Sequence, residues 1–264
     1  MPALAMLLTP VVIVAGVWGA VRVGYVEEAA PAGSGLARSW VHVVPVDAER
    51  FVQRVVPDGC VDLFWWSRDA EPMVAGPDTG PMPTPLEPGD VLVGVRFAPG
   101  RAAPVLGVPA DALRDARVPL SDLWGGDAFL LGERAAGAPG LDAVRRRDLL
   151  VAAVTERGRR AGPVDPVVAP VVRGLVSGAS VRDVADAVGL GERQLRRRAL
   201  VAFGYGPKVL QRVLRFQRVL RAAGAGVPAA EAAADAGYAD QAHMAHEVRD
   251  LAGVPLGVLL GKDG

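Results

Sequence analysis

Residues 180–209 constrain the fold of this chain more than any other stretch, because they carry the pattern of two short helices separated by a glycine break. The break is Gly189-Leu190-Gly191, and the helix after it is rich in arginine. Apolar residues at helical spacing predict the helix before it. This arrangement is typical of a helix-turn-helix unit. The apolar positions of the first helix are Val181, Val184, Ala185 and Val188.

The second helix of this unit has two chemically different faces. At about 100° per residue, Leu195, Ala199 and Ala202 fall on one side, which suits packing on the first helix. Guanidinium and carboxamide groups fall on the opposite side and its flanks. Arginine can bind guanine in the major groove, and glutamine can bind adenine. The sequence therefore predicts a DNA-reading helix whose DNA-binding residues are Arg193, Gln194, Arg196, Arg197 and Arg198.

The alternative to a DNA-reading helix is a cationic helix that is simply solvated, and the charge distribution helps to decide between the two. That alternative is serious because the chain uses arginine almost to the exclusion of lysine. The formal net charge of the whole chain is zero, yet the segment from Val171 to Arg221 contains eleven basic and three acidic residues, a net charge of +8. Such asymmetry predicts a surface for a polyanion on one segment only.

The helix-turn-helix pattern recurs toward the C-terminus. A long helix from Pro207 to about Ala223 leads to a second helix pair, Ala229 to Ala236 and Asp240 to Leu251, around a Gly237-Tyr238 break. The long helix carries a basic stripe that we predict to contact DNA phosphates, consisting of Arg212, Arg215 and Arg218. The last helix presents a second set of predicted DNA-binding residues, consisting of Gln241, Ala242, His243, His246 and Arg249.

Metal and catalytic chemistry find little support in the sequence. His243 and His246 have the i, i+3 spacing of a metal pair but no third ligand nearby, so we predict no metal site and no cofactor. Cys60 is the only cysteine, which excludes an intramolecular disulfide. We therefore predict that the chain is not an enzyme. The alternative is a thiol-dependent enzyme or DNA-repair protein using Cys60, with the C-terminal module as a DNA-targeting device, although no His or Lys adjoins that cysteine.

The chain from Val23 to about Leu130 is β-like and is followed by helical segments, so the predicted fold class is α+β: a β-rich sandwich or barrel with short helices, then an all-α double helix-turn-helix domain. Pro57-Asp58-Gly59 predicts a hairpin between two of the strands. A helix over Leu141 to Glu156 is either a dimer surface or packs on its own β-domain. The predicted strands are Val41–Val46, Val52–Val56, Cys60–Trp66 and Val91–Phe97.

Polar residues gather around the third of these strands. Alternation places Cys60 and Asp62 on one strand face and Val61, Leu63 and Trp65 on the other. An ordinary polar strand face is one interpretation. The other is a pocket for a small-molecule effector inside the β-rich domain, formed by Asp58, Cys60, Asp62 and Arg96.

Four segments follow from these patterns: an apolar N-terminal extension (1–22), a β-rich regulatory domain with trailing helices (23–160), a proline-containing linker (161–166) and the DNA-binding domain (167–264). Residues 1–21 carry no charged side chain and approach the ~20 residues that span a bilayer. Three interpretations of these residues are open: an extension that belongs to no domain, a membrane anchor, or a first strand or helix of the core. A chain that reads DNA is expected in the cytoplasm, so a membrane is not an expected partner.

The C-terminal sequence resembles the AraC/XylS family of bacterial transcription regulators from about Val168 to Leu260. The resemblance depends on Ser180-Val-Arg-Asp-Val-Ala, Gly204-Tyr-Gly-Pro and, most specifically, Ala236-Gly-Tyr-Ala-Asp-Gln-Ala-His243. Val23 to about Gly125, with Val56-Pro-Asp-Gly-Cys-Val-Asp62, is similar to an uncharacterised domain found ahead of such modules. The resemblance implies a seven-helix DNA-binding domain in a transcription regulator. The implied partners are double-stranded DNA, a small-molecule effector, RNA polymerase and a second copy of the chain.

Overall fold

The computed structural model of the chain describes residues 24–136 and 142–261. A β-rich N-terminal region precedes a helical C-terminal region, as the predicted α+β class requires. The predicted apolar extension, and with it the membrane-anchor alternative, lies outside the described residues. Among the helices of the described part of the chain, none is both long enough and apolar enough to cross a membrane.

Within residues 24–136, eight strands form the β-rich region, in two separate sheets. Six of them make an antiparallel sheet in the order β1-β2-β7-β4-β5-β8, and β3 pairs with β6 as a two-stranded ribbon. The described strands do not close into a barrel. Their bounds are β1 Tyr25–Ala29, β2 Leu36–Val43, β3 Phe51–Val55, β4 Asp62–Trp66, β5 Met73–Ala75, β6 Met82–Leu86, β7 Val91–Phe97 and β8 Arg117–Pro119.

The predicted hairpin at Pro57-Asp58-Gly59 is wrong, because β3 and β4 lie in different sheets. The turn itself forms: Asp58 Oδ1 accepts a hydrogen bond from the Cys60 N–H at 2.8 Å, and Gly59 has a φ of +80°. It redirects the chain from the ribbon into the large sheet instead of folding one strand back on the other. We call residues 56–61, which join β3 to β4, the Pro57 loop. Residues 76–81, which join β5 to β6, are the Asp78 loop.

Helices cover one face of the large sheet. The strand faces alternate as predicted: Leu63 and Trp65 are buried under the helices, whereas Asp62 points to the other face. The predicted helix over Leu141 to Glu156 is observed as α4 and packs on β2 and β7 of its own sheet. The bounds are α1 Ala102–Leu106, a 3-10 turn Ala110–Leu113, α2 Ser121–Trp124, α3 Gly126–Ala136 and α4 Ala143–Arg160.

The C-terminal region consists of seven helices within the described residues, in the predicted double helix-turn-helix order. Local signals in the sequence set their ends: Ser180 caps α6 in a reciprocal pair with Asp183, and Pro207 begins α8. Gly204, which follows α7, is one of several left-handed C-caps. The bounds are α5 Val168–Val176, α6 Val181–Ala187, α7 Glu192–Phe203, α8 Pro207–Gly224, α9 Ala229–Ala236, α10 Gln241–Ala252 and α11 Leu256–Leu259.

Two of the four loops that connect the ribbon to the large sheet contact the C-terminal region, which also packs through α7 against α1 and the 3-10 turn. From the Pro57 loop, Val56 packs in the core of the second helix-turn-helix unit, and the Pro57 carbonyl accepts a 2.7 Å hydrogen bond from the buried Gln217 of α8. From the Asp78 loop, the Asp78 carbonyl accepts a hydrogen bond from the Tyr205 hydroxyl. Residues 161–166, the predicted linker, separate α4 from α5.

Candidate functional site

The first predicted DNA-reading helix, α7, presents its basic face to solvent. Leu195 and Ala199 are buried in the core of the unit, as its periodicity predicts. Arg198 is half-buried, and its guanidinium lies 3.3 Å from Asp165. Within the described residues, no ion pair joins the other arginines of α7 to an acid of the chain. The exposed polar residues on this helix are Arg193, Gln194, Arg196 and Arg197.

Gln194 also has a local structural role. Its Oε1 accepts a hydrogen bond from the Gly191 N–H at 3.2 Å and so satisfies the backbone donor of the N-cap residue. Gly191 has no side chain that could accept a bond in return. The carboxamide NH₂ remains as a donor. Bidentate recognition of adenine uses both ends of a glutamine side chain, so such a contact would require this cap to open.

The two ends of α7 have different surroundings. Its C-terminal half lies against α1 and the 3-10 turn of the N-terminal region, and Arg197, Val201 and Ala202 line a groove there with Pro104 and Pro109. Arg193, one turn earlier, is not part of that groove. The N-terminal end of the helix is therefore the more open end for a long double-stranded ligand.

The second predicted reading helix, α10, has the same two-faced construction. Met244, Val248 and Leu251 are buried, as predicted. Asp240 caps the helix by accepting from the His243 N–H at 2.7 Å, and the His243 ring meets the edge of the Tyr238 ring at 5.2 Å. The exposed residues are those predicted: Gln241, Ala242, His243, His246 and Arg249.

The predicted basic stripe on α8 is engaged inside the domain. Arg215 pairs with Glu247 of α10 at 2.7 Å and stacks on the Tyr238 ring, and Arg212 pairs with Glu247 at 3.1 Å and with Asp250 at 2.8 Å. Arg218 donates to two backbone carbonyls, those of Val176 and Ala236. These arginines hold the two helix-turn-helix units together, so contact with phosphates, which stays a prediction, depends on the exposed parts of their side chains.

Glu247, which the sequence analysis did not single out, organises the contact between α8 and α10. It is 6% exposed and accepts hydrogen bonds from Arg212, Arg215 and the Tyr238 hydroxyl. A glutamate on the apolar side of a helix, beside Val248, was the available signal, because a buried carboxylate requires partners.

A cavity of about 340 Å³ lies between the free face of the large sheet and the β3–β6 ribbon. Aromatic and aliphatic side chains form most of its wall, and Trp66 is among them, whereas Trp65 is in the core. Its polar residues include Gln53 of the ribbon and two members of the predicted effector pocket, Asp62 and Arg96.

The four residues predicted for an effector pocket lie together around a buried guanidinium. Arg96 is 4% exposed and binds Asp62 through two hydrogen bonds of 3.0 and 2.9 Å. Its Nη2 is 3.4 Å from Asp58 Oδ2, and its Nη1 is 3.1 Å from Glu27 Oε1. Glu27 was missed, because nothing in its local sequence places β1 beside this cluster. Cys60 is bound through its N–H to Asp58.

Burial controls the ionisation of this cluster. Loss of solvent raises the pKa of Asp58 to about 6, although the Arg96 charge opposes the shift. Burial, and then the Asp58 carboxylate, raise the pKa of the Cys60 thiol well above its usual range. Since a nucleophilic cysteine requires a lowered pKa, this environment works against the thiol-dependent alternative.

Comparison with known proteins identifies both regions. A family model described as a helix-turn-helix domain matches residues 184–261, and one described as a domain of unknown function, DUF6597, matches residues 36–119. Among curated proteins, none is similar enough in sequence to count as a relative of this chain.

Solved structures of ToxT from Vibrio cholerae are similar to the chain at 10% sequence identity. Three of them cover 84%, 91% and 89% of this chain and 98%, 100% and 99% of their own, with TM-scores of 0.44, 0.45 and 0.47. The third is an apo form from strain SCE256. TM-scores this low support no conclusion about function.

Two helix-turn-helix units with exposed basic residues and a matching family model define a DNA-binding transcription regulator. Its DNA-binding domain is of the AraC type, and the region ahead of it is a DUF6597 domain.

Proposed function

We propose that this protein binds specific sequences in double-stranded DNA through α7 and, more weakly, through α10, and that its N-terminal region sets this activity. The guanidinium of Arg193, which is exposed at the open end of α7 and pairs with no acid among the described residues, is the observation that carries the proposal. In helix-turn-helix proteins, the N-terminal residues of the recognition helix contact base edges. Arg193 and Arg196 are therefore proposed to read bases, with Arg197 and Arg198 beside them.

The arrangement of the ribbon supports a regulatory role for the N-terminal region. The ribbon forms one wall of the cavity, and two of the four loops that attach it to the large sheet, the Pro57 loop and the Asp78 loop, also touch the C-terminal region. A molecule that displaces the ribbon would therefore pull on α8 through the Pro57 loop and on the end of α7 through the Asp78 loop. We propose this route for the effect of a small-molecule effector on DNA binding.

Several partners and properties are part of the same proposal. The protein would act in the cytoplasm and contact RNA polymerase at its promoters, and a second copy would allow two sites on one DNA to be bound. The proposed segments are an extension over 1–22, a regulatory domain over 23–160, a linker over 161–166 and a DNA-binding domain over 167–264.

Selection of bound sequences from random duplex DNA by the full chain tests the proposal. We expect enrichment of a defined sequence, and an affinity for it that falls with salt concentration because phosphate contacts release counterions. If no sequence is enriched above the starting pool while binding still occurs, the basic face holds phosphates only. Absence of any binding to duplex DNA would remove the proposal altogether.

A further inference from the structure

The cavity between the large sheet and the ribbon has an aromatic wall and a charged end. Tyr25, Trp40, Phe64 and Trp66 line it together with Leu92. Tyr25 and Trp40 stack with ring centroids 6.1 Å apart. Such a wall suits an apolar ligand, and aromatic ring faces also attract organic cations. The volume of about 340 Å³ is at the small end of the range for ligand pockets.

Charge at the polar end of the cavity is unbalanced. Arg96 is surrounded by three carboxylates, those of Glu27, Asp58 and Asp62, whose side chains are 14%, 17% and 15% exposed. Arg117, the other cation in the wall, is already bound to Asp78 through two hydrogen bonds of 2.8 and 2.7 Å. One guanidinium carries a single positive charge against three largely buried carboxyl groups, so an additional positive charge would lower the free energy of this cluster.

A second polar group faces the cavity without a partner of its own. Gln53 is 8% exposed and lies in the cavity wall, on the ribbon side. In the described part of the chain, its carboxamide makes no side-chain hydrogen bond. The amide is therefore available to a molecule inside the cavity. Its oxygen is an acceptor suited to an ammonium group, and its NH₂ is a donor suited to a hydroxyl or carbonyl.

We propose that the cavity binds a small organic cation, an amine with an apolar body. The ammonium group would lie against Asp62 at the charged end, and the apolar body would lie along the rings of Trp40, Phe64 and Trp66. An anionic ligand would instead have to displace Asp62 from Arg96 or Asp78 from Arg117, and would meet the remaining carboxylates. Binding itself is independent of the proposed function, whereas any effect of the amine on DNA affinity depends on it.

Calorimetric titration of the full chain with three matched probes tests this proposal: 4-phenylbutylamine, the neutral 4-phenylbutanol and the anionic 4-phenylbutyrate. We expect the amine to bind at least roughly tenfold more tightly than either of the others, because only the amine forms a charge-assisted contact. Tighter binding of the butyrate, or equal binding of all three, would overturn the proposal. The first outcome would mean an anion site on the arginines, and the second a purely apolar pocket.

Variants locate the ammonium group. Asp62→Asn removes the carboxylate that lines the cavity and should reduce the affinity for the amine roughly tenfold while leaving that for the alcohol unchanged. Should this variant fail to fold, Glu27→Gln tests the same charge excess from the edge strand. The matched control is Glu28→Gln, whose side chain is 56% exposed and pairs with Arg147 instead. An unchanged affinity for the amine in Asp62→Asn, or in Glu27→Gln if the first variant does not fold, would overturn the assignment, and so would an equal loss in the control.

The titrations contain no DNA, so their result does not depend on the regulatory proposal. A chain that binds the amine but selects no DNA sequence would contradict only the proposed function. A chain that selects a DNA sequence but binds no amine would contradict only the present inference. With both activities present, a change in DNA affinity at saturating amine would connect the two sites.

Discussion

Arg193 is the residue on which base recognition most depends in this chain. We expect Arg193→Ala to cost about 1–3 kcal/mol of binding free energy on the preferred DNA sequence, and to relax specificity at the base it contacts. Arg197→Ala should also weaken binding to the preferred sequence. Arg197 lies in the groove between α7 and the N-terminal region. Binding of each variant to the selected sequence and to single-base variants of it gives the measurement.

Arg145→Ala is the matched control, because Arg145 is equally exposed but lies on α4, outside the DNA-binding domain. It removes the same charge and should leave affinity and specificity unchanged. An equal loss from Arg193→Ala on every sequence tested would show that Arg193 contacts phosphate and reads no base.

The raised pKa of Asp58 makes a prediction about pH and stability. The carboxyl group of Asp58 has a pKa of about 6 in the folded chain, against 3.8 for an aspartate in water, so it binds its proton more tightly in the folded state. The ionised group therefore lowers stability above pH 6, and this cost is relieved as the pH falls from 6 toward 3.8. Asp58→Asn removes the charge but keeps an acceptor for the Cys60 N–H. We expect the Tm of Asp58→Asn minus the Tm of the wild type to be a few degrees higher at about pH 8 than at about pH 5.

Differential scanning fluorimetry at the two pH values checks this expectation, with Asp47→Asn, an exposed position, as a control for the substitution itself. The decisive quantity is the change in the Tm difference between the two pH values. A Tm difference that does not vary with pH would mean that the Asp58 carboxylate is as well solvated in the folded chain as in the unfolded one.

For single residues, the sequence predicts well which side chains of a helix are exposed and poorly which side chains pair with each other. The 3.6-residue period correctly separates Arg193 and Arg197 from Leu195 and Ala199. It gives no information on Glu247, which lies 32 residues from Arg215 and whose pairing depends on how α10 crosses α8. The same limit applies to Glu27 beside Arg96, since contacts between strands distant in sequence follow from sheet topology.

At the scale of elements, the sequence signals that begin and end a helix act locally. The capping box at Ser180 begins α6, as the serine followed three residues later by Asp183 indicates, with hydrogen bonds of 3.1 and 3.3 Å in the two directions. The Pro57 turn is an equally local signal and also forms. Its local geometry did not reveal which strand β3 pairs with, because that choice depends on β6, about thirty residues away.

We expect Ser180→Ala to destabilise the chain by about 1 kcal/mol, because the Asp183 N–H at the start of α6 loses its acceptor. For a chain of this size the change corresponds to a loss of about 2–4 °C in Tm. Ser180→Thr keeps the hydroxyl and should recover most of the stability. An equal loss from both substitutions would show that the volume at this position, and not the cap, is responsible.

At the scale of the whole molecule, the order of a β-rich region followed by a double helix-turn-helix region was predictable from periodicity and turn residues, whereas the number of seven helices was implied only by the family resemblance. The division of the strands into a large sheet and a ribbon was not, because β5, β6 and β8 are short and proline interrupts β6 at Pro83 and Pro85. Consequently the cavity could be predicted only by the convergence of Asp58, Cys60, Asp62 and Arg96. The wall opposite its aromatic side chains is the ribbon, and the predicted strands include only β3 of that ribbon.

The contact between the two regions can be tested with a matched pair of glycines. Gly204 and Gly237 both follow a helix in the left-handed conformation, with φ of +76° and +81°. A Cβ on Gly204 would lie 2.3 Å from Pro77 Cγ in the Asp78 loop, whereas a Cβ on Gly237 would have no atom within 4 Å in the described structure. Alanine at either position costs about 1 kcal/mol in backbone conformation, but only Gly204→Ala also forces the loop away from α7.

Gly204→Ala should therefore separate the unfolding of the two regions in scanning calorimetry, giving two transitions or one that is clearly broadened. Gly237→Ala should lower the Tm by about 2–4 °C and keep the shape of the wild-type transition. The physical reason is that cooperative unfolding of two regions requires interface free energy, which the clash with Pro77 removes in the first variant only. Identical calorimetric profiles for the two variants would mean that the Asp78 loop contributes little to coupling. The route from the ribbon to the C-terminal helices would then run through the Pro57 loop and Gln217, or through the packing of α7 on the 3-10 turn.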